Sequence, residues 1–491
     1  MRGRMHPEQT KYRSPTPRQE GRLKDQLSSM LGSSASTPAF YPPRVKPAPH
    51  PLRFPLNLAK LIRNSLELIP EQAYREALVL APGPPRMAFI SGTELLKALL
   101  LDRAAEFPKG ALQVDALAPM FGKAMVSAEG AEWRWQRGAA APLFRHEELL
   151  GYAPIMRAAA ENIVANWRAA PPGTIHTVHR DMMRAVFDVM SKTMLAGVPD
   201  DLLATIEKGN DRYYRSVNWW LLCLMVGLPR WLPRPGRKAM REHEQRLRQA
   251  VSKLVLARRA SGMAGDDVLS RLLRTRDPES GMSMPDGLIV DNILAFLVGG
   301  SDTTAFALTW TLYLISQSPE WEARMLDEID RVVGGDPVGS SHVDRLVTVQ
   351  QVLNESLRLF PTAPVIVRDI TEDVVLDGVS IPAGTIGIVP IYAIHRHQSY
   401  WDDPHRFDPT RFAPGARSKS ARFRFLPFGA GPRICIGAAF ATIEATIMLA
   451  TFVRAAHFEV SPHFDPQPSA GMFLLPKKGM PMRVILRDRA A

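Results

Sequence analysis

The feature that most constrains this chain is one ten-residue loop, Phe428-Gly429-Ala430-Gly431-Pro432-Arg433-Ile434-Cys435-Ile436-Gly437. Only two cysteines, Cys223 and Cys435, occur in 491 residues. They sit in unlike settings, an apolar run and this Gly-rich loop. No disulfide framework is implied, and a reducing compartment is the natural setting. Neither a four-Cys zinc site nor an iron–sulfur cluster can be built within one chain. Cys223 reads as a small buried hydrophobe. Cys435 differs: its glycines let backbone pass close to something bulky, and Arg433 can meet an acidic group. A helix expected just after it aims free N–H groups at the sulfur, which favours thiolate. A thiolate held this way is a metal ligand or a nucleophile. A nucleophile needs a base, and no His lies nearby in sequence.

The rest of the chain bounds what that loop can serve. At 46% hydrophobic and 22% charged residues, it can bury a core large enough to hide a big cofactor. The net charge is +12, and residues 1–50 supply half of it, with nine Lys+Arg against three Asp+Glu. This Pro/Ser-rich stretch is expected to be a disordered basic tail (1–45), followed by a single catalytic domain (46–491). The remaining charge is modest, and with no nucleic-acid motif it speaks only to solubility and association. No signal peptide is read, and no run approaches the ~18–20 apolar residues of a membrane span. A cytoplasmic location is therefore expected. Residues 213–238, with Tyr213, Tyr214, Trp219, Trp220, Trp231 and flanking Arg and Lys, stay open between a core helix pair, a substrate lid and a lid with peripheral membrane contact.

Residues from about 56 to 330 read mainly as helix, with short strand-like pieces such as Met87–Ile90. A long helix is expected from about Asp286 to Ser318, stopped by Pro319, and another over about Val349 to Leu359. Turn signals at Asp377-Gly378 and Pro382-Ala383-Gly384 then predict β-hairpins over Val374 to Ile394. A helix follows from about Ile436 to Ala455, and the end, Phe458 to Leu486, is strand-like. The class is mainly α with a small β region. Inside the long helix stands Gly299-Gly300-Ser301-Asp302-Thr303-Thr304. Two mid-helix glycines cost about 1 kcal/mol each relative to Ala, and the hydroxyls compete with the backbone. A kink or close helix crossing explains this; so does a functional site.

The loop at Phe428–Gly437 fits F-x-x-G-x-R-x-C-x-G, and in this the chain resembles the cytochrome P-450 monooxygenases, in a soluble, bacterial-like form. The resemblance implies the mainly α cytochrome P-450 fold and a haem b whose iron is held by Cys435, with Phe428 packed by the sulfur and Arg433 on a propionate. It makes Gly299 part of an oxygen-binding groove and Asp302 with Thr303 its proton relay. It implies that Trp133 and Arg137, as W-x-x-x-R, and Arg368 reach the propionates. Glu355 and Arg358, as E-x-x-R, would form a buried structural triad with Arg406, although His405 stands where an acid is often found. Phe296, Val365, Ile366 and Phe473 are the expected pocket residues, apolar and nothing finer. The implied activity inserts one atom of O2 into an apolar small molecule, with electrons from NAD(P)H through a ferredoxin or flavodoxin-type donor and its reductase. A peroxide-driven or redox-neutral haem-thiolate enzyme and a non-catalytic haem-binding sensor are the rivals.

Overall fold

The computed structural model describes residues 39–491 apart from 52–59, 61–62, 82, 84, 196–222, 224–236, 263–264, 266, 277–280, 417–418 and 488–491. Residues 1–38 of the expected basic tail and almost all of the aromatic 213–238 segment lie outside the described residues. Phe40–Ala491 forms one compact unit.

Among the described residues, nine longer helices, numbered here, carry the body: α1 Ala111–Phe121, α2 Gly130–Ala140, α3 Ala153–Ala169, α4 Val178–Leu195, α5 Arg237–Ala260, α6 Asp286–Ser316, α7 Pro319–Val333, α8 Val347–Leu359 and α9 Ala438–Ala455. Helix α6 is the expected long helix. Its 31 residues span about 46 Å at 1.5 Å per residue. It is apolar on almost every face because neighbours cover almost every face: α4, α5, α8 and α9 all pack on it. Gln317 and Ser318 close it, and Pro319 opens α7 at a position where a missing N–H is harmless. Trp310 anchors the centre, stacked on Phe360 with ring centroids 4.0 Å apart.

The expectation that nothing reaches membrane-span length and hydropathy needs correction. By length and composition, α6 and α9 both do. Their most apolar stretches are 78% and 61% buried inside the protein, so packing against their own fold accounts for that hydropathy.

The β region comprises β1 Leu78–Ala81, β2 Met87–Ile90, β3 Ile175–Thr177, β4 Ile366–Ile370, β5 Val374–Leu376, β6 Val379–Ile381, β7 Thr385–Val389, β8 Ala456–Val460, β9 Pro468–Ala470, β10 Leu474–Pro476 and β11 Pro481–Leu486. The largest sheet has the order β1-β2-β7-β4, with β2 and β7 parallel and the outer pairs antiparallel. Strand β2 is buried at all four positions, as a central strand should be. The β5–β6 hairpin turns on Asp377 and Gly378, both at positive φ (50° and 75°), as a two-residue hairpin turn demands. Ile391–Ile394 is a short helix rather than the end of a hairpin. Pro390 interrupts the strand ladder there.

Candidate active site

The Cys435 loop is held by the rest of the protein at several points. Cys435 N–H donates to Phe428 O (2.9 Å) and Ile434 N–H to Gly431 O (3.1 Å), which closes the loop on itself. Arg137, from α2, donates through Nη1 to Ile434 O (2.8 Å). On the other side Leu426 N–H donates to His395 Nε2 (2.8 Å). Burial and the nearby Arg358 hold the His395 pKa well below the usual histidine value, so the ring is neutral. With Nε2 accepting, Nδ1 carries the proton and faces Arg358 O at 3.2 Å.

The glycines act differently from expectation. Gly431 sits at φ +72°, and a Cβ there would lie 1.7 Å from Leu100 O. The bulky neighbour is the chain's own backbone at residues 98–102. Cys435 itself is exposed, yet enough chain surrounds it that burial pushes its thiol pKa up. The Gly437 N–H and Arg137 pull the other way and do not prevail. The expectation that the loop by itself favours thiolate is therefore not met. Metal binding and loss of the thiol proton are coupled at such a sulfur.

Around that loop lies a cluster of cations. Arg368, on β4, is buried at 6% exposure. Burial and then Arg433 lower its pKa to about 10. Lys109 donates to the carbonyls of Met125 (2.8 Å) and Ala128 (2.5 Å), and burial lowers its pKa to about 8. Arg433 donates to Ala104 O (2.6 Å), pairs with Glu129 (2.6 Å), and lies 5.6 Å from the Trp133 ring. Glu129 also accepts the Lys109 N–H (2.9 Å). Its carboxylate also lies 3.9 Å from the Lys109 ammonium and acts through space on Arg368, so one carboxylate faces three cations. The Nε atoms of Arg368 and Arg433 are buried without a partner. Buried guanidinium groups call for anionic acceptors. These residues fit a planar group bearing carboxylates, laid between this cluster and Cys435.

Helix α6 carries the second group of candidate residues. Its two glycines do different work. Gly300 is a close crossing: a Cβ there would lie 2.5 Å from Met190 Cε of α4. Gly299 borders open space, with nothing within 4 Å. The Thr303 hydroxyl donates to Gly299 O (2.7 Å), so a lone pair of Oγ1 is what it offers outward. Asp302, next in the same turn, is fully buried. Of the four expected pocket residues, Phe296 is buried edge-on to Phe144, with centroids 5.5 Å apart. Val365, Ile366 and Phe473 are half-buried. Ile366 approaches the Cys435 loop, its Cδ1 3.4 Å from where a Cβ on Gly429 would stand.

Beneath the loop, Glu355 and Arg358 of α8 are both fully buried and doubly bonded, at 2.6 and 2.7 Å. Arg358 spends its other donors on the carbonyls of His395, Pro404 and Arg406. Burial pushes the Glu355 pKa up, and the Arg358 pair pulls it back. Arg406 is not the third member of the triad. Its side chain is exposed and only its carbonyl takes part. The second cation is Arg411, whose Nε is 3.7 Å from Glu355 Oε1. The pattern Pro-x-Arg-Phe stands in close succession at 404–407 and 409–412, and the later of these two copies is the one turned inward.

Compared with known proteins, residues 47–484 match the Cytochrome P450 family. The chain is a cytochrome P450. It is 31% identical to a Pentalenene oxygenase of Streptomyces avermitilis, over 81% of this chain and 87% of that protein. It is 30% identical to a Cytokinin hydroxylase of Arabidopsis thaliana, over 82% and 79%. It is also 30% identical to a Cyclooctat-9-en-7-ol 5-monooxygenase of Streptomyces melanosporofaciens, over 75% and 79%. As a P450 the chain is an oxidoreductase of the haem-thiolate monooxygenase kind, dependent on a redox partner and acting on a small molecule. Among the described residues, no cluster of three His, Cys, Asp or Glu could hold a metal ion. A haem iron needs no such cluster, because the porphyrin itself supplies most of its ligands.

Sequence reasoning missed Lys109, Glu129, His395 and Arg411. Only Arg411 had a signal in the sequence, the repeated Pro-x-Arg-Phe. The others act through contacts with residues distant in sequence.

Proposed function

We propose that this P450 inserts one atom of O2 into an apolar small molecule. The other oxygen atom leaves as water, with two electrons and two protons consumed. The observation that supports this best is the cysteine loop ringed by cations, and the α6 turn adds a threonine beside an open glycine. When bound, haem supplies electron-rich iron that activates oxygen. Cys435 would hold the iron, and Arg137, Arg368, Arg433 and Trp133 would hold the propionate side. Thr303 Oγ1, its own hydrogen committed to Gly299 O, receives a hydrogen bond from a polar atom entering the groove. Asp302 supplies the acid of the relay. The apolar surroundings of Phe296, Val365 and Ile366 exclude water and favour a hydrophobic substrate.

The electrons come, in this reading, from a separate ferredoxin or flavodoxin-type protein and its NAD(P)H-dependent reductase. The names of the oxygenase and monooxygenase relatives support the O2-dependent form. The test is the reduced carbon monoxide complex. The wild type and Cys223→Ser should show the red-shifted Soret band of thiolate ligation, and Cys435→Ser should lose it. Retention of that band by Cys435→Ser, with loss in Cys223→Ser, refutes the assignment. A spin-state screen of fatty acids, terpenoids, steroids and aromatics then finds the substrate.

A further inference from the structure

Helix α9, which begins beside Cys435, carries a carboxyl group that the proposed chemistry does not use. Glu444, in its second turn, is fully buried. Neither carboxyl oxygen completes a hydrogen bond of good geometry. Burial pushes its pKa well above the carboxylate range, and the Thr304 hydroxyl is the group that pulls it back. A buried polar group so poorly satisfied is rare in a native fold and calls for a reason.

Thr304 is itself unusual. On α6, Ser301, Thr303, Thr309 and Thr311 each turn their hydroxyl back onto the carbonyl four residues earlier. Among the described hydroxyls between 301 and 311 of that helix, Thr304 alone makes no such bond. It is buried at 3% exposure and faces Glu444. Two observations, an under-satisfied carboxyl on α9 and an uncommitted hydroxyl on α6, meet where these helices pack.

We propose that Glu444 is a positioning residue: its carboxyl group holds the Thr304 hydroxyl and so fixes the α6 turn bearing Asp302 and Thr303 against the helix that begins beside Cys435. The inference rests on reading Asp302 and Thr303 as the proton relay. A helix is a stiff rod, so the clamp converts the position of the sulfur into the position of the relay. A neutral carboxylic acid can both donate to and accept from Thr304. Glutamine keeps that shape and both capacities; leucine keeps only the bulk.

The test uses the haem-loaded protein and the variants Glu444→Gln, Glu444→Leu and Thr304→Val. The Soret band of the reduced carbon monoxide complex reports on Cys435, and the infrared C–O stretch of the same complex reports on polar groups across the groove. Product formed per reductant consumed reports on the relay. All three variants should keep the thiolate band. Glu444→Leu and Thr304→Val should shift or broaden the C–O stretch and lower the product ratio several-fold. Glu444→Gln should match wild type, and the Leu/Val double variant should lose no more than either single change. If Glu444→Leu does not fold, Thr304→Val, which removes only a hydroxyl, decides. A wild-type stretch and ratio in Thr304→Val overturns this proposal alone, as does a Glu444→Gln that behaves like Glu444→Leu. Absence of the thiolate band from the wild type overturns the functional reading, and this inference with it.

Discussion

Replacing Glu355 by alanine should be among the most damaging single changes in the protein, and the geometry sets its size. Glu355 makes two bonds to Arg358 and accepts the Asp408 N–H at 2.8 Å. Both members of the pair are at 0% exposure, so water can neither screen the pair nor replace a lost partner. Removing the carboxylate strands the Arg358 guanidinium beside Arg411, with only carbonyl dipoles to hold it. Breaking a buried pair from one side costs about 3–5 kcal/mol, a large share of the roughly 5–15 kcal/mol that holds a typical domain together. Arg411→Ala should cost less, about 1–2 kcal/mol, because its contact is longer and it keeps some exposure. Arg406→Ala should cost under about 0.5 kcal/mol, because its side chain is outside the cluster. The assay is the denaturant midpoint of the four proteins, read alongside haem retained per polypeptide. A Glu355→Ala protein with a wild-type midpoint refutes the reasoning. So does an Arg406→Ala protein that suffers more than Arg411→Ala.

Four further outcomes are expected. Thr303→Ala should keep haem and substrate binding but divert electrons from product to hydrogen peroxide; an unchanged ratio of product to reductant moves the reading toward a peroxide-driven or redox-neutral enzyme. Gly431→Ala should abolish haem binding or soluble yield, because a Cβ 1.7 Å from Leu100 O cannot be accommodated in place. Gly429→Ala, at φ +74° but meeting only Ile366, should cost about 1 kcal/mol and keep a normal Soret absorbance per polypeptide. His457 donates from Nδ1 to Glu322 (2.7 Å), and this bond raises its pKa. A raised folded-state pKa means stabilisation present below the unfolded value of about 6.5 and lost as pH rises through the folded value. Melting temperature should therefore fall from about pH 6 to about pH 8, and fall less in His457→Gln.

The cysteine loop was legible because its chemistry is contiguous. Gly431, Arg433, Cys435 and Gly437 sit within seven residues, and a loop that must turn tightly and present one sulfur leaves its mark on adjacent positions. The long helix was legible for a similar reason, since Pro319 and a predominantly apolar stretch act locally. The α6 glycines show where such reading stops. Both look alike in sequence, yet Gly300 is spoken for by Met190 and only Gly299 opens onto space. The thiol shows it too. The nearby helix N-terminus argues for thiolate, while the burial that outweighs it comes from the whole fold.

What the sequence determined by itself was the family, the helical class and the one cysteine set in a ligand-shaped loop, all of which follow from short-range patterns. Tertiary structure alone decided which of the neighbouring Pro-x-Arg-Phe copies at 404–407 and 409–412 serves Glu355, because only folding turns Arg411 inward and leaves Arg406 exposed. It alone brought Lys109 and Glu129 to Arg433 and Arg368, His395 to the loop, and Glu444 to Thr304. Charge and burial act through space, and spatial neighbours dozens or hundreds of residues apart leave no joint mark on a single sequence.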